Sequence, residues 1–166
     1  MIKRILHHIR SNLKRDVKRF FPKLSLEKIE KEVKNSEKSH LSELCVVIEN
    51  SFSLNLLLEG VNSRNRAIEI FSKNRVWDTE FNSGILLYIL LADRKIEIVA
   101  DRGIAKLAKE KSFAEITSMI ESKFKENRFE EGVILGIQAL TKLLSKHYPV
   151  RKRKNKNEIS DKPILI

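Results

Sequence analysis

Four acidic side chains, Asp78, Glu80, Asp93 and Asp101, stand at the ends of two apolar runs, "GILLYILL" and "IEIVA", which are joined by the corner "ADRK". Four residues cannot span a parallel crossover, so the two runs are expected to fold back on each other as a hairpin. That pairing puts Asp78, ahead of the first run, and Asp101, behind the second, at one end of the sheet. Asp93 and Arg94 go to the other end. Asn82 and Arg102 fall beside the first pair, with Arg75 just upstream. Two carboxylates and an amide oxygen are hard ligands suited to Ca²⁺, Mg²⁺ or Mn²⁺. The expected metal set is therefore Asp78, Asn82 and Asp101, with Arg75 and Arg102 available to hold a phosphate bidentately. Water would attack directly, because no cysteine or serine nucleophile is visible, and the catalytic residues stay unassigned. The plainer alternative has Asp78 capping a turn, Asn82 supporting the loop, and Asp101 pairing with Arg102 or Arg75. A second polar group, Glu37, His40 and Glu43, lies between a helix end and a strand start. It reads either as an extension of the site or as a satisfied cluster.

Other chemistries find no support. The chain has no glycine-rich phosphate loop, no HExxH and no GxSxG elbow. Cys45, inside "ELCVVIE", is the single cysteine and reads as a core residue in a reducing compartment. His7 and His8 are adjacent and face different ways on a helix, so a shared metal is not expected. His147, at the end of the last helix, suits the dipole there.

The elements that must position these residues follow from periodicity. Residues 2–21 place Ile2, Ile5, Leu6, Ile9, Leu13, Val17 and Phe20 at helical spacing among Arg4, Arg10, Lys14, Arg15, Lys18 and Arg19, and Pro22 ends the pattern. The apolar stripe of this basic amphipathic helix packs on the domain, lies on an anionic membrane surface, or self-associates. Ser25 caps a second helix with Leu26, Ile29 and Val33 inward. "SELCVVIEN" is a first strand, and "SFSLNLLLEG" an edge strand or a loop turning into a helix. "NSRNRAIEIFSKNRVW" is a helix with Ala67, Ile68, Phe71 and Val76 inward. A short helix leaves the hairpin after Gly103. "FAEITSMIESKFKENR" is a further helix, through Phe113, Ile116, Ile120 and Phe124. The last, "FEEGVILGIQALTKLLSKHY", carries Gly132 and Gly136 for a close approach to the sheet. The sum is a three-layer α/β/α sandwich: a small mixed sheet of three to four strands with helices on both faces. It divides into a basic N-terminal helix (1–22), an α/β domain (23–149) and a basic disordered tail (150–166).

Charge is placed unevenly. The net +11 gathers at the ends: residues 1–34 hold 11 Lys/Arg against 4 Asp/Glu, residues 150–166 hold 6 against 2, and the middle balances at 16 and 16. Such asymmetry suggests an anionic surface as partner. Membrane is preferred to nucleic acid, because the basic ends hold few aromatics for stacking. No apolar run is long enough to span a bilayer, and no secretory signal is visible. A cytoplasmic protein, peripheral at the inner membrane face, is expected.

The segments "SEKSHLSELCVVIE", "SRNRAIEIFSKNRVWDTEFNSGILLYILLADRKIEIVADRGI" and "FKENRFEEGVILGIQALTKLLSKHYP" resemble, in this order, the TPM domain family (the TPM phosphatase domain) in its short bacterial form. The motif falls on Trp77, Asp78, Asn82, Gly84, Asp93, Asp101, Arg102 and Gly103. The resemblance implies an α/β/α sandwich, an acidic-loop site for calcium or another divalent cation, and, in some plant members, acid phosphatase activity. It also implies membrane association and a LemA-like membrane protein as partner. Ser83 departs from the family, where a second Asn is common, and "AKLAKEKS" is basic where longer relatives carry a further acidic residue. Two functions stay open: a binding or accessory module at the cytoplasmic membrane face, and a divalent-metal-dependent phosphatase-like hydrolase.

Overall fold

The computed structural model describes residues 2–14, 16–108, 110–150 and 157–166. Arg15, the basic run 151–156 and the side chains of Leu13 and Lys14, named above, lie outside the described residues. Four strands form one sheet in the order β3-β2-β1-β4: β1 (Leu44–Glu49), β2 (Ile85–Leu90), β3 (Lys95–Ala100) and β4 (Ile164–Leu165). β1 and β2 run parallel, with Leu44 against Ile85. β2 and β3 form the expected antiparallel hairpin, with Ile85 against Ala100 and Leu90 against Lys95. The mixed α/β sheet is thus as the sequence indicates.

Strand residues alternate between two cores because successive side chains point to opposite faces. Leu44, Val46, Ile48, Ile85, Leu87, Ile89, Ile96 and Ile98 meet α3 (Lys23–Ser36), α7 (Glu110–Lys125) and α8 (Phe129–His147) through Ile29, Val33, Ile120, Phe124, Val133, Ile137 and Leu140. Cys45, Val47, Leu86, Tyr88, Leu90 and Val99 meet α4 (Leu54–Leu58) and α5 (Ser63–Lys73) through Leu57, Ala67 and Ile70. Every residue of β1 and β2 is buried, which is why both read as unbroken apolar runs.

Several expectations need correcting. The second helix starts at Lys23 behind Pro22, and Ser25 is buried in its first turn rather than capping it; proline fits a helix start because its missing N–H has no partner there. In α5 the expected Ala67 is buried and Phe71 packs against the core, and Val76 is buried beyond the helix end, but Ile68 is exposed and Ile70 faces inward instead. "SFSLNLLLEG" resolves as α4, capped by the Ser53 hydroxyl. Gly132 and Gly136 open α8 chiefly toward α7, and the sheet comes no nearer to a Cβ at Gly136 than Leu87 Cδ2 at 4.0 Å. A Cβ at Gly136 would come within 2.4 Å of Ile120 Cδ1, and one at Gly132 within 3.0 Å of Lys123 Cβ.

The largest correction concerns the tail. Residues 157–166 dock on the sheet edge and supply β4, which pairs parallel to β1 with Val47 against Ile164. Ile166 N–H donates to Ile48 O (3.0 Å) and Asn50 N–H to Ile166 O (2.8 Å). Ile159 and Ile164 pack on the α4–α5 side core. The basic composition of 150–166 hid the C-terminal "PILI", where the buried Pro163, the half-buried Ile164 and the edge hydrogen bonds hold the segment down.

Candidate functional site

At the β2–β3 end, the loop carrying Asn82 enters the hairpin through Gly84. A Cβ on Gly84 would lie 1.7 Å from Val76 O, so this approach is open only to glycine. Asn82 sits at φ 49°, a left-handed conformation that asparagine tolerates well. Its carbonyl accepts Gly103 N–H (3.1 Å). Its Oδ1 accepts from Arg102 Nε (3.2 Å) and Nη2 (2.9 Å). Asp101 N–H donates to Gly84 O (2.9 Å). The Asp101 side chain then starts α6 (Arg102–Leu107), with Oδ1 accepting Arg102 N–H (2.6 Å). Its Oδ2 is buried and has no hydrogen-bond partner among the described residues. Asn82, Asp101 and Arg102 are therefore brought together.

Asp78 keeps different company. Its carboxylate accepts from Arg75 Nη2 (2.5 Å), with both side chains largely exposed, and the Arg75 guanidinium lies over the Trp77 ring. Arg75 and Asp78 line a cleft with Cys45, Asn74, Glu158, Ile159, Ser160 and Ile164, so this pair borders the C-terminal segment. Each expected ligand residue already has a protein partner, and of the three Asp101 alone keeps a buried oxygen with no hydrogen-bond partner among the described residues. Among the described residues no group of three or more His, Cys, Asp or Glu could hold a metal ion.

Sequence reasoning missed Tyr148. A Cβ on Gly103 would lie 2.7 Å from the Tyr148 hydroxyl. Burial, and then the charge of Asp101, push the Tyr148 phenol up. An aromatic beside Pro149 gives no sign that the end of α8 reaches this loop.

The second polar group separates into two roles. His40 is fully buried, with Nε2 2.8 Å from Ser36 Oγ and Nδ1 3.0 Å from Ser42 O; burial lowers it to about 4. It acts as a neutral strut between α3 and the segment leading into β1. Glu37 and Glu43 instead meet the C-terminal segment. Glu37 Oε1 accepts Leu44 N–H (2.8 Å), and Glu43 Oε2 accepts the N–H groups of Glu158 and Ile159 (3.2 Å each). Burial, reinforced by Glu43 and Asp161, raises Glu37 to about 9.

At the opposite end of the sheet, Asp93 anchors the N-terminal helix α1 (Ile2–Lys14). Arg4 Nε and Nη2 donate to Asp93 Oδ2 (3.0 and 2.8 Å), and Nη1 to Val61 O (3.2 Å). His8 Nε2 lies 2.9 Å from Asp93 Oδ1, and His8 Nδ1 is 2.9 Å from the Phe52 N–H that donates to it. Asn50 Nδ2 donates to Ser11 O (3.3 Å). The helix therefore docks by its polar side. Ile2, Leu6 and Ile9 face solvent at 75, 61 and 46% exposure, flanked by the exposed Lys3, His7 and Arg10. Among the described residues of the expected stripe, Ile5 packs on the domain from α1, while Val17 and Phe20 pack from the helix α2 (Asp16–Phe20) that follows.

The geometry defines a mixed-sheet α/β/α domain with a polar loop end and a basic, outward-facing N-terminal helix. The family model for the TPM domain matches residues 15–143, and the chain belongs to that family. No curated protein matches it in sequence. Among solved structures it is similar to the BA42 protein of the psychrophilic bacterium Bizionia argentinensis, determined by NMR. That likeness has a TM-score of 0.73 and 21% identity, over 85% of this chain and 92% of that one. At such identity the likeness concerns the fold.

Proposed function

We propose that this TPM domain is a binding or accessory module that attaches to the anionic cytoplasmic face of a membrane through α1 and offers its polar loop end to a protein partner, of the LemA-like kind the family resemblance suggests. The observation that carries this reading is the orientation of α1. A helix that docks by Arg4, His8 and Ser11 while leaving Ile2, Leu6 and Ile9 in water has its apolar side free for lipid. The flanking Lys3 and Arg10 complement acidic headgroups. No helix among the described residues is long and apolar enough to cross a membrane, so attachment would be along the surface. Flotation with vesicles of mixed zwitterionic and acidic lipid tests it. The chain should float with acidic vesicles, and Ile2→Ser/Leu6→Ser/Ile9→Ser should lose most of that binding while keeping its thermal transition. Equal flotation of the two proteins would overturn the reading.

A second reading, a divalent-metal-dependent phosphatase-like hydrolase, is favoured by one observation: the buried, unpartnered Asp101 Oδ2 beside Asn82. Asp101 and Asn82, with Asp78 reoriented from Arg75, would hold Ca²⁺, Mg²⁺ or Mn²⁺, which would polarise a phosphoryl oxygen and activate water. Arg102 would grip the phosphate. Mn²⁺ titration by calorimetry and aryl-phosphate hydrolysis, each compared with Asp101→Asn, test it; heat and rate unchanged by the substitution would remove it.

A further inference from the structure

We infer that α1 is held to the domain by a proton-sensitive latch at His8, and that protonating this one imidazole undocks the helix. The consequence for lipid binding rests on the membrane reading above; the latch itself does not.

The argument starts from the tautomer. Nδ1 faces the Phe52 backbone N–H at 2.9 Å. An N–H can only donate, so Nδ1 must be the acceptor and His8 neutral, leaving its proton on Nε2 to be donated to Asp93 Oδ1 (2.9 Å). The added proton can go only to Nδ1. There it would oppose the Phe52 N–H, donor against donor, inside a site where the His8 side chain is fully buried. The imidazole is also stacked on the Phe52 ring, with centroids 5.5 Å apart, so the clash cannot be relieved without moving the ring.

Three charged or titratable groups surround His8. Asp93, from the β2–β3 corner, favours the proton. Arg4, one turn earlier on α1, and His7 beside it oppose it. Burial is the largest influence and also opposes it, so the net direction is downward from the ordinary histidine value. Docking is therefore at full strength above the free-histidine range near 6.5, and weakens as pH falls below it. Asp93 does not blur this window. Burial pushes it up, but hydrogen bonds from Arg4 and His8 outweigh burial and hold it below its ordinary 3.8. Among the described residues α1 is also tied by the Arg4 ion pair, the Arg4–Val61 hydrogen bond, the Arg4 guanidinium over the Phe52 ring, the Asn50–Ser11 bond and the packing of Ile5, and none of these gives the Phe52 N–H a new acceptor once Nδ1 is protonated.

Amide hydrogen exchange of α1, corrected for intrinsic rates, tests the latch on the full chain without lipid. Between about pH 7.5 and 5.5 the protection of residues 2–14 should fall several-fold while that of β1 and β2 stays unchanged. His7→Gln should keep the step. His8→Gln should remove it, and thermal melts at pH 7.5 show whether that variant remains folded. Asp93→Asn should lower protection at both pH values. Unchanged α1 protection in the wild type, or a step that survives in His8→Gln, would overturn the latch. Flotation with acidic vesicles at the same two pH values reads the membrane proposal separately. A step in exchange without any vesicle binding would leave the latch standing and sink the membrane reading.

Discussion

At the residue scale, two groups carry more of the fold than their size suggests. Glu49 is a buried carboxylate at the end of β1. Arg66 grips it through Nε to Oε2 and Nη2 to Oε1, both at 3.0 Å, and Tyr88 donates to Oε2 (2.5 Å). The Arg66 and Glu49 side chains are only 13% and 5% exposed. Removing one partner of a buried pair leaves the other charged and unpaired, which costs about 3–5 kcal/mol. Arg66→Met should lower unfolding free energy by that amount in urea titration. Tyr88→Phe, which deletes one hydrogen bond, should cost about 1–2 kcal/mol. Gly84 is the second such group. Because the obstacle to a Cβ there is the Val76 carbonyl rather than a flexible side chain, Gly84→Ala cannot be absorbed by a rotamer change. It should cost about 3 kcal/mol or more and shift the Asn82 loop, which amide chemical shifts of Asn82 and Gly103 would report.

At the element scale, the C-terminal segment meets Glu37 at the end of α3 and Glu43 ahead of β1, two carboxyls that burial pushes up. Glu37 has a folded value of about 9 against an ordinary 4.5, raised chiefly by burial and further by Glu43 and Asp161. Its folded value lies above its unfolded one. Its contribution is therefore complete below 4.5 and is lost progressively as pH rises toward 9. The urea midpoint should fall between about pH 5 and pH 9, and Glu37→Gln should flatten that fall. A wild-type midpoint constant across this range would contradict the assignment. The same segment marks where sequence reading stops. The hairpin was legible because "GILLYILL" and "IEIVA" are apolar, β-branched and separated by four residues; the local connection dictated the pairing. β4 was not, because its two residues gain their structure from a partner more than a hundred positions away, behind a run of lysines and arginines. The loop site divides in the same way. Asn82, Asp101 and Arg102 follow from the hairpin register. Tyr148 reaches Asp101 only through the packing of α8, and Asp78 turns to Arg75 because that arginine is its nearest cation in the chain.

At the scale of the whole molecule, the charge asymmetry and the turned helix make one prediction together. Periodicity showed that α1 has an apolar stripe but not which side meets the domain, since that depends on Asp93, Phe52 and Asn50 lying where His8, Arg4 and Ser11 can reach them. With the polar side inward, Lys3, His7 and Arg10 border the exposed Ile2, Leu6 and Ile9. Coulombic attraction and apolar insertion then act on the same patch and can be separated by salt. Screening shortens from about 10 Å at 0.1 M to about 3 Å at 1 M, whereas the apolar contribution is not screened. Vesicle binding should therefore weaken several-fold over that range without vanishing. A basic residue near an acidic membrane is worth about 1 kcal/mol, so Lys3→Glu/Arg10→Glu should lose at least tenfold in affinity at the lower salt and much less at the higher. The triple serine variant should show the reverse pattern, with weak binding that salt abolishes. Binding by the charge-reversed protein that equals the wild type at low salt would mean that α1 does not meet lipid by this side.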